Sequence, residues 1–205
     1  MTGKLRRLLS LAILGVISLA SPVVLAYPSG TYGSGTYNSC EYGVTCSITL
    51  TSNSSVSLNV TPAPGSKCTI QSDTASVMTD DSNGYTLTLA DNGTNTALVN
   101  GANTIPAGSG TFASPAALSG NAWGYRVDGL GSFGSGPTTA QSNVSPGSAL
   151  FAAIEASNVT PDTLANTSSP ADPAVNTTVW YGACANTSVA SGTYGTQVTY
   201  TAVAN

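Results

Sequence analysis

Acid–base and nucleophilic chemistry has few residues to draw on in this 205-residue chain. Histidine is absent, and the thiols are Cys40, Cys46, Cys68 and Cys184. Nine carboxylates (Glu41, Asp73, Asp80, Asp81, Asp91, Asp128, Glu155, Asp162 and Asp172) face five cations, of which only Lys67 and Arg126 lie beyond residue 26. Without histidine there is no Ser-His-Asp arrangement. A glycosidase needs two carboxylates held about 5–10 Å apart, and the acids here stand mostly in turn contexts, with no Asp-Thr-Gly among them. The chain therefore reads as a non-enzyme that needs no cofactor.

Metal chemistry is weighed on two groups. Asp80-Asp81-Ser82-Asn83-Gly84 gathers hard oxygen ligands, and Asp91 follows soon after. Placing Gly84 at the sixth position of a calcium loop puts Thr79 and Ala90 where carboxylates are required, so the segment reads as an Asx-rich turn. A zinc site would need all four thiolates, whose spacing lacks paired CxxC clusters. An even number of cysteines behind an export signal favours two disulfides. Three connectivities are open. The preferred one joins Cys40 to Cys46 across a short local loop and Cys68 to Cys184, tying an early strand to a late one. A catalytic thiol has no neighbouring base to ionise it. Lys67, the one lysine beyond the leading segment, invites comparison with sandwiches stapled by a Lys-to-Asn or Lys-to-Asp amide. Its place after Pro64-Gly65-Ser66 reads instead as an edge-strand lysine that discourages aggregation.

The elements that must position these groups begin with an export signal. Residues 1–26 carry a basic start (Lys4, Arg6, Arg7), an apolar run from Leu8 to Leu19 and a Val24-Leu25-Ala26 cleavage pattern. Residues 27–43 form a lead-in of Gly, Ser, Thr and Tyr, with Ser-Gly-Thr-Tyr at 29–32 and again at 34–37. Residues 44–205 form a single domain. Its apolar period is 2: Val44, Cys46, Ile48 and Leu50 alternate with polar residues, and Val56, Leu58 and Val60 repeat the pattern. Asn83-Gly84, Asn92-Gly93 and Asn100-Gly101 are two-residue hairpin signals and predict a β-meander. A strand is expected over 122–127, a connection without a central strand over 160–173 because of Pro161, Pro170 and Pro173, and closing strands over 175–184 and 193–203. The stretch 148–154 leans towards strand. No segment shows a sustained 3.6 period. The expected fold is all-β, an immunoglobulin-like sandwich of about eight to ten antiparallel strands.

Charged residues are 7% of the chain, well below the usual quarter. Two scattered cations cannot supply the counterion release that drives nucleic-acid binding, and an anionic membrane is an equally poor partner once the signal is removed. Trp123 and Trp180 are expected in the core. Tyr27, Tyr32, Tyr37 and Tyr42, flanked by small polar residues, are candidate contacts with neighbouring subunits, matrix or glycan. Asn-x-Ser/Thr sequons occur at Asn53, Asn59, Asn92, Asn143, Asn158, Asn166, Asn176 and Asn186, a weak signal in a chain this rich in Asn, Ser and Thr.

The segment Trp180-Tyr181-Gly182-Ala183, followed by Gly192-Thr193-Tyr194-Gly195-Thr196-Gln197-Val198-Thr199-Tyr200-Thr201, resembles the closing part of bacterial spore coat U-type domains and of the related archaic chaperone-usher pilins. Val77-Met78-Thr79 and Gly84-Tyr85-Thr86-Leu87-Thr88-Leu89 are similar to the paired early strands of that family. The resemblance implies an immunoglobulin-like subunit of a surface fibre or coat. The function expected is that of a secreted or cell-surface structural or adhesive protein, self-assembling or bound to other surface proteins or glycans; the alternative is a soluble carbohydrate- or ligand-binding module.

Overall fold

The computed structural model describes residues 13–17, 46–53 and 55–205, the first stretch by its backbone alone. Its strands are β1 (Ile13–Ile17), β2 (Ile48–Thr51), β3 (Val56–Val60), β4 (Lys67–Thr79), β5 (Tyr85–Asp91), β6 (Leu98–Asn100), β7 (Asn103–Ile105), β8 (Ala116–Ala117), β9 (Ala122–Val127), β10 (Gln141–Val144), β11 (Leu150–Phe151), β12 (Asp162–Asn166), β13 (Ala171–Ala185) and β14 (Val198–Ala204). No helix occurs among the described residues, and every ladder between these strands is antiparallel. The all-β class is as expected. The strands outnumber the expected eight to ten because five of them are only two to four residues long and lie in the Gly- and Pro-rich middle.

Two sheets enclose the main core. One runs β10-β4-β13-β9, with β2 on the same side of β4 as β10; the other runs β12-β5-β14. Alternation explains the enclosure. Tyr85, Leu87 and Leu89 on β5 and Ala75 and Val77 on β4 are fully buried, and these residues join Trp123, Tyr125, Val179, Tyr181 and Tyr200 in one cluster. Val56, Leu58 and Val60 of β3 enter the same cluster, while Ser57 and Asn59 face out.

The larger sheet is also covered on its far face. Cys68, Ile70, Trp180 and Cys184 pack there with Leu118 and Phe151, in a third layer made of loops and the short β8 and β11 pair. Glycines permit that approach. A Cβ on Gly124 would lie 2.5 Å from the Ala152 carbonyl oxygen, and one on Gly182 would lie 2.8 Å from the Phe151 ring.

Several local expectations are overturned. The Asn-Gly pairs do not build a meander. Only Asn100-Gly101 turns a hairpin, β6 to β7, with Asn100 opposite Asn103. Asn83-Gly84 carries the chain from β4 to β5, which belong to different sheets, and Asn92-Gly93 leads into a loop. The dipeptide permits a turn, but the apolar faces of β4 and β5 both need the core and so meet across it instead of pairing edge to edge. The proline-bearing stretch 160–173 does contain strand. β12 is an edge strand, and Pro173 lies inside β13 where its register with β4 shifts between Ala171 and Val175, a place that tolerates a missing N–H. Lys67 is not on an edge strand, since β4 has β13 on one side and β10 and β2 on the other; its Nζ donates to Ser145 Oγ at 3.2 Å.

Candidate functional site

The two sheets are joined through the core by phenol hydroxyls. Tyr181 on β13 and Tyr200 on β14 place their hydroxyl oxygens 2.8 Å apart, and Tyr125 on β9 donates to Asp162 Oδ2 on β12 at 2.6 Å. Asp73, fully buried on β4, accepts the N–H groups of Asn53 at 2.9 Å and Thr74 at 2.7 Å on Oδ1. Such groups clamp the sandwich: each is costly to bury unpaired and specifies one packing of the sheets when paired.

Burial dominates the ionisation of this layer. It raises the phenols of Tyr85, Tyr125, Tyr181 and Tyr200, with the Asp162 hydrogen bond adding to the rise at Tyr125. The Asp162 carboxyl is also raised by burial, an effect that its Tyr125 hydrogen bond opposes and Glu155 reinforces. A phenol whose folded pKa lies above the unfolded value of 10.0 contributes stability that is complete below that pH and is lost as the pH rises through it. The protein is therefore expected to unfold cooperatively in alkali, with phenolate absorbance from these four tyrosines appearing together with the loss of β-sheet circular dichroism. Phenolate from all of them in a protein that keeps its sheet signal would contradict this.

The carboxylates singled out in the sequence do not converge. Asp81 and Asp91 are buried as Asx turns, with Asn83 N–H donating to Asp81 Oδ1 and Gly93 N–H to Asp91 Oδ1, both at 2.8 Å. Asp80 Oδ1 accepts the Ser47 N–H at 2.7 Å. Among the described residues no three His, Cys, Asp or Glu side chains gather as a metal site. The thiols are brought together as preferred: Cys68 and Cys184 stand directly opposite in the ladder between β4 and β13, Cα atoms 4.0 Å apart, and are bonded. Cys46 is disulfide-bonded. Cys40 lies outside the described residues, as do Tyr27, Tyr32, Tyr37 and Tyr42. Trp123 is fully buried and Trp180 nearly so, as expected.

Two features escaped the sequence reading. The first is Arg126, fully buried on the far face of β9. Its Nε and Nη2 contact Asp128 Oδ1 at 3.0 and 2.8 Å, Nη1 donates to the Leu150 carbonyl at 3.2 Å and Nη2 to that of Gly134 at 3.0 Å. The guanidinium lies 5.9 Å from the Phe151 ring centroid. One arginine thus pins the loop that covers the sheet. The available signal was its parity: in Trp123-Gly124-Tyr125-Arg126-Val127 the even positions form one face, and a face of Gly and Arg accepts a covering loop.

The second is the edge of β3. Among the described residues its one ladder is with β1, in which Ile13 stands opposite Val60 and Ile17 opposite Val56. A strand with three buried side chains thus has its backbone completed by a segment that reads as the apolar run of an export signal. Comparison of the chain with family models, with curated proteins and with solved structures finds no match. Among the described residues no helix is long and apolar enough to cross a membrane.

Proposed function

We propose that this chain is a secreted or cell-surface structural or adhesive protein, non-catalytic, with an immunoglobulin-like domain that assembles with copies of itself by strand addition. The observation that carries the reading is the β1 to β3 ladder. If residues 1–26 leave on export, β3 keeps its apolar face in the core but loses its ladder partner, and an open edge of N–H and C=O groups recruits another strand. The Cys68–Cys184 disulfide fits an oxidising compartment. The tyrosine-bearing lead-in of one copy is the segment nearest in sequence to the new terminus and the natural candidate to fill the edge of the next.

A peptide covering residues 11–19 tests this in trans. Added to the processed protein, it is expected to bind stoichiometrically and to suppress oligomers seen by light scattering, whereas a scrambled peptide does neither. A processed protein that stays monomeric and ignores the peptide would refute strand addition at β3.

A further inference from the structure

A groove of about 580 Å³ opens where β9 ends beside β13. β9 stops with Val127 opposite Val179, but β13 continues along β4, so residues 176–178 have β4 on one side and the groove on the other. Asp128, Thr138, Asn176 and Thr178 supply its polar lining, and Leu164 and Trp180 its apolar wall. The volume lies within the range of small-ligand sites.

The chemistry of the lining restricts the ligand. Both Arg126 contacts fall on Asp128 Oδ1, which fixes the carboxylate from beneath and leaves the lone pairs of Oδ2 to accept from a ligand. No Lys or Arg side chain lines the groove, the Arg126 guanidinium is already paired with Asp128, and the chain is net negative, so the lining offers an anion no unpaired cation. A wholly apolar ligand would strip water from a carboxylate, an amide and hydroxyls without replacing those hydrogen bonds. A neutral sugar satisfies every constraint. Its hydroxyls donate to Asp128 and to the Asn176 side-chain carbonyl, its oxygens accept from the threonine hydroxyls, and its C–H groups meet the small parts of the otherwise buried Leu164 and Trp180 that reach the groove.

We propose that this groove binds a neutral oligosaccharide. The inference does not depend on strand addition at β3, which lies on a different strand and uses different groups. It gives the adhesive reading a ligand class.

The test uses the full chain, expressed in an oxidising bacterial host that does not glycosylate the Asn176 sequon. A panel of neutral oligosaccharides (gluco-, manno-, galacto- and N-acetylglucosamine series) is titrated by calorimetry, alongside a sulfated oligosaccharide and an extended Thr- and Val-rich peptide. The expected result is saturable binding of at least one neutral series, weakened about tenfold or more by Asp128→Asn and by Asn176→Ala. Because Asn176 is exposed, its variant keeps the parental melting temperature even if Asp128→Asn loosens the loop. Binding of the sulfated sugar or the peptide alone, no binding at all, or neutral-sugar binding unchanged in the Asn176 variant would each overturn the proposal.

Discussion

Replacing Cys184 with alanine is expected to lower the stability of the domain by about 2–5 kcal/mol. The bond closes a loop with a sequence separation of 116 residues, so its loss returns a large amount of conformational freedom to the unfolded chain. It also joins β4 to β13, the central pair of the larger sheet, on the face covered by Phe151 and Leu118. For a domain of this size the melting temperature is expected to fall by about 4–20 °C, and the parent treated with reductant under denaturing cycles should approach the variant. Thermal melts of both proteins with and without reductant check this. Identical melting temperatures in all four would show that the bond does not constrain the fold.

Arg126→Ala is the second large effect, with an expected cost of about 2–4 kcal/mol. Asp128 is partly exposed, its side chain at 31%, and can turn to water when its partner is lost. The Leu150 and Gly134 carbonyls each lose a donor, Gly134 keeping the Gly129 N–H, and a cavity opens beneath Phe151. Arg126→Met separates these contributions, since it refills much of the volume without restoring a hydrogen bond. It should recover part of the stability while leaving the covering loop as open to protease as in Arg126→Ala. The measurements are chemical denaturation and limited proteolysis mapped to residues 128–150. Unchanged stability together with unchanged cleavage in both variants would show that the loop does not depend on the guanidinium.

What could be read in the sequence was whatever depends on short-range alternation. Val56, Leu58 and Val60 and the run Tyr85, Leu87, Leu89 announce strands with one buried face, and the structure places them so; the strand 122–127 is also found, but buried on both faces. The Cys68–Cys184 pairing was legible because both cysteines sit in such strands. Partner choice between strands was not. Asn83-Gly84 has the residues of a hairpin turn, yet β4 and β5 part to opposite sheets because their buried faces must oppose each other. Long-range pairing also hid the Tyr125–Asp162 and Tyr181–Tyr200 bridges, whose members carry no local mark beyond an aromatic at an inward position. Lys67 misled for a related reason: a lone lysine at a loop-to-strand junction suits an edge, but the edge of β4 is filled by β10, a short segment with little apolar alternation.

Under the proposed function, the chain is processed on export and assembles on the cell surface through the edge that β1 occupies. Fractionation of the producing cells, followed by gel mobility of the protein with and without boiling and reductant, tests it most directly. The expected result is a cell-bound fraction whose protein lacks residues 1–26 and runs as a ladder until boiled. A single soluble monomer in the medium, with the same mobility under every treatment, would contradict it.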